Sequence, residues 1–190
     1  MPQFKKYQML DPLECRDIRA NLEEISWKQA GVIGGNVHTG TVRLATRQTE
    51  IYPAHKGTTM YRWLTDVVDE HLPQILQDFP VDIWQDPERR IHSVDFLRYG
   101  VGSHFRMHSD IGGYPGVEER KLSISILLND PRTYEGGRLR LFDGVTVDTM
   151  EDTSTGSAIV FPSYQCHEVT HVTSGVRQAA VLWLCGPRYR

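Results

Sequence analysis

His108 and Asp110 stand two residues apart, His167 follows on a later segment, and Arg177 lies ten residues beyond it. Two imidazoles and one carboxylate gathered on one side of an Fe(II) ion would leave its other positions open for oxygen chemistry. A planar guanidinium held at a fixed distance from that ion would grip a carboxylate through two parallel hydrogen bonds. Together the four residues point to an oxidant fed by a small dicarboxylate. The H-x-D pair alone is weak, because a chain with these 8 histidines and 13 aspartates holds about half such a pair by chance. Arg177 alone would read as a surface residue; its weight comes from its spacing after His167.

The elements that must position these groups read as strands. Residues 94 to 107, VDFLRYGVGSHFRM, are aromatic and branched apart from Gly100 and Gly102. Residues two apart on an extended segment share a face, so His108 and Asp110 can reach one cavity. The same parity puts His104 and Arg106 beside them, so alternation does not select the pair. His167 follows the apolar run SAIVFPS, and Arg177 opens RQAAVLWLC. Three strands can thus converge on one interior point. His171, four after His167, would rival it as a ligand on a helix, but VTHVTSGV is rich in strand-favouring branched residues. Directly after Asp110, IGGYPGVEER carries Gly112, Gly113, Pro115 and Gly116 and must be a loop beside the metal. It is expected to act as a lid.

At these residues the sequence resembles the prolyl 4-hydroxylase-like branch of the Fe(II)/2-oxoglutarate dioxygenases, including the PKHD-type hydroxylases. RYGVGSHFRMHSD looks like the strand that ends in the first two ligands, KLSISILLND the next strand, and YEGGRLRLF the turn and strand after it. GSAIVFPSYQCHEVTHVTSGVRQAAVLW looks like the closing segment, and the likeness spans about residues 92 to 185. It implies that His108, Asp110 and His167 are the iron ligands and the catalytic centre. It implies that Arg177 and Tyr99 bind 2-oxoglutarate, and that Phe105 and Trp183 flank the substrate pocket. Phe105 stands where the peptidyl-proline enzymes usually carry tyrosine, and Arg177 where many of them carry lysine. The implied activity is a procollagen-proline dioxygenase-like hydroxylation, with Fe(II), 2-oxoglutarate, O2 and ascorbate as reductant. The expected substrate is proline in a peptide or protein; a free amino acid or another small molecule is the alternative. A third reading is a non-catalytic metal-binding jelly roll, disfavoured because structural zinc sites are closed and thiolate-rich while Cys166 is the only nearby cysteine. Apolar walls around the site are expected from Ile124, Ile126, Leu139, Leu141, Val160 and Val181.

The fold class expected is an all-β core with helical support (α+β): a double-stranded β-helix, or jelly roll, with N-terminal helices packed on one sheet. The 190 residues are expected to form a single domain, with residues 1–90 as the helical support region and first strands and 91–190 as the catalytic core. In DPLECRDIRANLEEI, Asp11 reads as an N-cap and Pro12 as the first turn, with Leu13, Ile18, Leu22 and Ile25 at helical spacing. VRLAT within residues 31 to 57 reads as a strand, and TTMYRWLTDVVDEHLPQIL as an amphipathic helix with Tyr61, Leu64, Val68, Leu72 and Ile75 on one stripe. A net charge of −3 gives no global argument for nucleic acid or a membrane surface, which counts against a nucleic-acid demethylase despite Arg138 and Arg140. No apolar run reaches the length of a membrane span, and no signal peptide is visible. Three widely spread cysteines favour a reducing cytoplasm over a disulfide framework.

Overall fold

The computed structural model describes residues 3–31, 44–112, 115–150 and 152–189. Its strands begin with β1 (Lys5–Gln8), β2 (Lys28–Gln29), β3 (Arg47–Gln48), β4 (Glu50–Ala54), β5 (Ile91–Tyr99), β6 (His104–His108) and β7 (Arg120–Leu127). They continue with β8 (Tyr134–Gly136), β9 (Leu139–Asp143), β10 (Val145–Asp148), β11 (Ser157–Pro162), β12 (Cys166–Val169), β13 (Val172–Gly175) and β14 (Arg177–Cys185). Helix α1 spans Pro12–Glu23, α2 Thr59–Asp78 and the short α3 Pro87–Arg90.

A seven-stranded sheet runs in the order β1-β11-β7-β14-β5-β4-β2, a five-stranded one in the order β10-β9-β12-β6-β3, and β13 pairs with β8. All the pairings are antiparallel. The arrangement is the double-stranded β-helix that the sequence leads one to expect, with helices covering the larger sheet.

That sheet is buried on both faces, and its alternation divides the side chains between two cores. Val94, Phe96, Leu122, Ile124, Ile126, Val160, Leu182 and Leu184 pack under the helices, against Ile18, Leu22, Leu64, Val68 and Ile75. Leu97, Tyr99, Leu127, Ile159 and Phe161 face the smaller sheet, where Leu139, Leu141 and Val169 meet them. Helix α1 starts as expected: the Asp11 carboxylate accepts from the Leu13 and Glu14 amides at 2.7 and 2.8 Å, and the Glu14 carboxylate accepts from the Asp11 amide at 2.8 Å. This reciprocal cap satisfies backbone donors that have no partner inside the helix.

The inward stripe of α1 differs from expectation. Cys15, Ile18 and Leu22 are buried, while Leu13 is 60% exposed and Ile25 lies beyond the helix end. A three- or four-residue step back from Ile18 lands on Cys15 rather than Leu13, because five residues carry a side chain past the stripe. VRLAT is corrected too: 44–46 form a turn and the strand starts at Arg47, while Val42 and Arg43 lie outside the described residues. Among the described residues no helix is long and apolar enough to cross a membrane.

Candidate active site

The two sheets enclose a cavity of about 420 Å³. His108 ends β6, Asp110 follows it, and His167 sits on β12 directly opposite His108 in the antiparallel register. Their ligand atoms lie within 4.8 Å of one another, and among the described residues they form the only such metal-capable cluster. His108 Nε2 is 3.6 Å from Asp110 Oδ1, and His167 Nε2 is 3.5 Å from Asp110 Oδ2.

Both imidazoles are held by their other nitrogen. His108 Nδ1 lies 2.7 Å from the Arg106 carbonyl, and His167 Nδ1 2.9 Å from the Gln165 carbonyl. A carbonyl only accepts, so each Nδ1 carries a proton, and each Nε2 is the nitrogen that faces the carboxylate and would serve a metal. Burial, with the His167 charge second, pushes the His108 pKa down and keeps that ring neutral. Burial pushes Asp110 up, yet its electrostatic coupling to the His167 and His108 imidazoles and a hydrogen bond from the Ser123 hydroxyl outweigh it and hold the carboxyl below its usual range. Two imidazole nitrogens and one ionised carboxylate oxygen suit a borderline divalent cation such as Fe(II).

His108 and Asp110 share the cavity, but strand parity does not keep His104 and Arg106 beside them as the sequence implies. Two steps on β12, from His167 to Val169, match three on β6, from His108 back to Phe105, so β6 carries a bulge. The extra residue resets the alternation and turns Phe105 and His108 to the same side, their rings stacked at 3.5 Å. Arg106 is left exposed, and His104 stacks on His171 at 4.1 Å, away from the triad. Neither His104 nor His171 competes as a ligand.

Arg177 and Tyr99 are direct cross-strand partners on β14 and β5, both nearly inaccessible, with the guanidinium carbon 5.3 Å from the ring centre. Both line the cavity. Arg177 Nε is buried without a hydrogen-bond partner, which is the condition of a donor that a ligand oxygen would satisfy, and the Tyr134 hydroxyl is buried beside that guanidinium. Burial raises the Tyr134 pKa against the opposing Arg177 charge, so the phenol keeps its proton to donate. Gly137, at φ +57, is what admits them: a Cβ there would stand 2.9 Å from Val172 Cγ2 and 3.1 Å from Arg177 Cδ.

Phe105 and Trp183 line the cavity as expected, and the Arg120 guanidinium lies 3.8 Å over the indole. Of the expected apolar wall, Ile124, Leu139 and Val181 are present. Ile126 and Val160 are corrected to the helix-side core and Leu141 to the packing between the sheets. On β7 Ser123 and Ser125 face the cavity while Ile126 packs only under the helices and Ile124 touches both, so an apolar face is not by itself the site wall. Sequence reasoning missed Tyr134, Ser123, Arg47 and Asp95; the parity of Asp95 with Leu97 and Tyr99 on one strand was the available signal. The 111–120 segment contributes Ile111, Gly112, Val117 and Arg120 to the lining, but Gly113 and Tyr114 lie outside the described residues.

Fold and site together define a jelly-roll protein whose two histidines and one carboxylate are placed to hold a metal. A model of the 2OG-Fe(II) oxygenase superfamily matches residues 94–185. A PKHD-type hydroxylase of Picosynechococcus sp. is 32% identical over 181 residues, 95% of this chain and 77% of the relative. One from Acidovorax ebreus is 27% identical, covering 93% and 75%. The chain belongs to the 2OG-Fe(II) oxygenase superfamily, alongside the PKHD-type hydroxylases. In fold it is similar to a Pseudomonas putida prolyl-4-hydroxylase (TM-score 0.70, 23% identity, 96% of this chain and 92% of that one). It is also similar to a Trichoplax adhaerens prolyl hydroxylase crystallised with a hypoxia inducible factor peptide fragment (TM-score 0.74, 16% identity, 96% and 83%). The protein is a dioxygenase that uses Fe(II), 2-oxoglutarate and O2.

Proposed function

We propose that His108, Asp110 and His167 hold the Fe(II), that Arg177, Tyr99 and Tyr134 receive the distal carboxylate of 2-oxoglutarate, and that the substrate is proline in a peptide or protein. The observation that supports the iron assignment is the pair of Nδ1 to carbonyl contacts, which orient both rings with Nε2 toward the Asp110 carboxylate. When bound, iron and 2-oxoglutarate supply the oxidising chemistry: O2 and 2-oxoglutarate are consumed, succinate and CO2 are released, and one C–H of the substrate becomes C–OH. The chain's own contribution is placement and exclusion of water. The Arg177 fork fixes the far end of the co-substrate, and the apolar surface of Leu97, Leu139, Phe161, Val169 and Val181 keeps the reacting carbon dry. Ascorbate is expected to sustain turnover by returning iron to the divalent state.

The proline reading is supported by the PKHD-type relatives and by the prolyl hydroxylases that share the fold. Phe105 in place of a tyrosine removes one hydroxyl from the substrate side. We read residues 1–190 as one oxygenase domain and the protein as cytoplasmic, in keeping with three free thiols. The test is succinate release and a product heavier by one oxygen on proline-containing peptides. His108→Ala should abolish Fe(II)-dependent release, and Arg177→Met should raise the KM for 2-oxoglutarate about a hundredfold, with Arg177→Lys recovering part of it. Full turnover by Asp110→Ala would refute the ligand assignment. A second reading, a free amino acid as substrate, is favoured by the charged groups of the cavity wall.

A further inference from the structure

Three charged side chains of the cavity are left unused by the metal and co-substrate assignments: Arg47, Asp95 and Arg120. Asp95 shares a face of β5 with Leu97 and Tyr99, and Val181 and Ser125 continue its row across β14 and β7. Four residues of strand separate it from Tyr99, about 13 Å, so it lies well away from the end where Arg177 sits. Arg120 is 92% buried by its 8% exposure; its guanidinium rests on Trp183 and donates to the Asp110 carbonyl at 3.2 Å. Arg47 mirrors it on the other sheet, 4.5 Å over Phe105 and donating to the Gly31 carbonyl at 3.1 Å. Each guanidinium is therefore clamped on an aromatic ring, and the Nε of each is buried without a partner.

Asp95, for its part, makes no hydrogen bond or ion pair among the described residues, although both arginines act on it electrostatically. Opposite charges in a closed space ordinarily pair with one another, since an unpaired buried charge is costly. Here aromatic stacking holds the cations in place, and the anion is left facing the cavity. Such a wall is complementary to a ligand that carries both charges side by side.

We propose that Arg47, Asp95 and Arg120 form a subsite for the zwitterion of a free α-amino acid, with Asp95 accepting from the ammonium and the two arginines donating to the α-carboxylate. A residue inside a peptide has neither charge, and prolyl nitrogen within a chain has no hydrogen to donate. The subsite thus selects a free amino acid, proline included, over an internal residue. The cavity of about 420 Å³ has room for one small dicarboxylate and one residue-sized substrate, not for a long peptide held within it. The inference rests on the reading of this cavity as the oxygenase site and takes the free amino acid, in place of peptidyl proline, as its substrate.

The test uses the whole chain with Fe(II) and 2-oxoglutarate, and scores succinate release above the substrate-free background for the protein-forming L-amino acids and for a capped prolyl peptide. The best free amino acid is then compared with its N-acetyl and its carboxamide derivatives. Each derivative should lose about tenfold or more in kcat/KM. Asp95→Asn should shrink the N-acetyl penalty and leave the carboxamide penalty, whereas Arg120→Gln, or Arg47→Gln if that variant does not fold, should do the opposite. A capped peptide that outperforms every free amino acid, or penalties that Asp95→Asn leaves unchanged, overturns the subsite. Succinate release without any preference for free amino acids sinks this inference alone, while absence of succinate release both with and without every substrate sinks the site reading. In that second case calorimetric binding of the same amino acids to the metal-loaded protein decides: binding lost in Asp95→Asn upholds the subsite, and no binding removes it.

Discussion

At the scale of single residues, the site is governed by what each polar atom has to bond with. Asp110 uses one oxygen toward each histidine, and Ser123, itself 3.0 Å from the Ser163 hydroxyl, fixes the carboxylate with a 2.7 Å hydrogen bond. Ser123→Ala should therefore weaken Co(II) binding, read from the metal's visible absorption, about tenfold while leaving the fold intact; unchanged affinity would show that the hydroxyl does not orient the ligand. Asp95 gives a pH signature. Burial pushes its carboxyl up to about 6 against the pull of Arg47 and Arg120. A raised acid pKa means that ionisation costs the native state: no penalty below the unfolded value near 4, a growing one between there and about 6, and the full one above. In metal-free protein Asp95→Asn should stabilise by on the order of 2 kcal/mol at pH 8 and by almost nothing at pH 4, as denaturant melts would measure; a gain independent of pH would contradict the assignment. The triad was legible because ligand chemistry restricts it to a few residue types, and the resemblance picked one set among several histidines. Tyr134 and Gly137 were not legible, because their meaning lies in a contact with Arg177, some forty residues further along the chain.

At the scale of elements, the strands that carry the site were readable and their facing was not. β7 is buried along its whole length, as is β11, so neither shows the exposed-to-buried rhythm that orients a strand from sequence. Serine alternates with leucine and isoleucine on β7, and the polar face turned out to be the cavity face. The β6 bulge was invisible for a similar reason: it is a mismatch in pairing with β12, a property of two strands together. Helix α2 was readable, four of its five stripe residues (Tyr61, Leu64, Val68 and Ile75) being buried as spaced and Leu72 partly so. It stabilises the sheet from the side away from the cavity, so damage to it should separate stability from chemistry. Leu64→Ala, at a fully buried position, should cost about 2–4 kcal/mol in a denaturant melt and leave kcat unchanged at temperatures where the variant is folded. A fall in kcat equal to the fall in stability would mean that the helical layer also shapes the site.

At the scale of the molecule, one sheet is shared by two cores, and the three thiols report on them separately. Cys15 is fully buried where α1 meets the sheet, with its sulfur 4.0 Å from the Leu127 carbonyl, and burial pushes its pKa up to about 12. Cys185 ends β14 and is raised by burial to about 11, with Arg120 opposing the shift, whereas Cys166 is exposed beside His167. A thiol reacts as its thiolate and only where reagent reaches it, so both burial and protonation protect the first two. In native protein at pH 8, a chromogenic disulfide reagent should label Cys166 quickly and the other two only as the structure opens. Cys185 lies at a strand end and can be reached by local fraying; Cys15 requires the helical layer to lift from the sheet. Leu64→Ala should hence accelerate labelling of Cys15 far more than that of Cys166, with peptide mapping by mass spectrometry assigning each site. Equal acceleration of all three would mean that the layers come apart only with the whole fold, and that the helix-side core has no separate opening of its own.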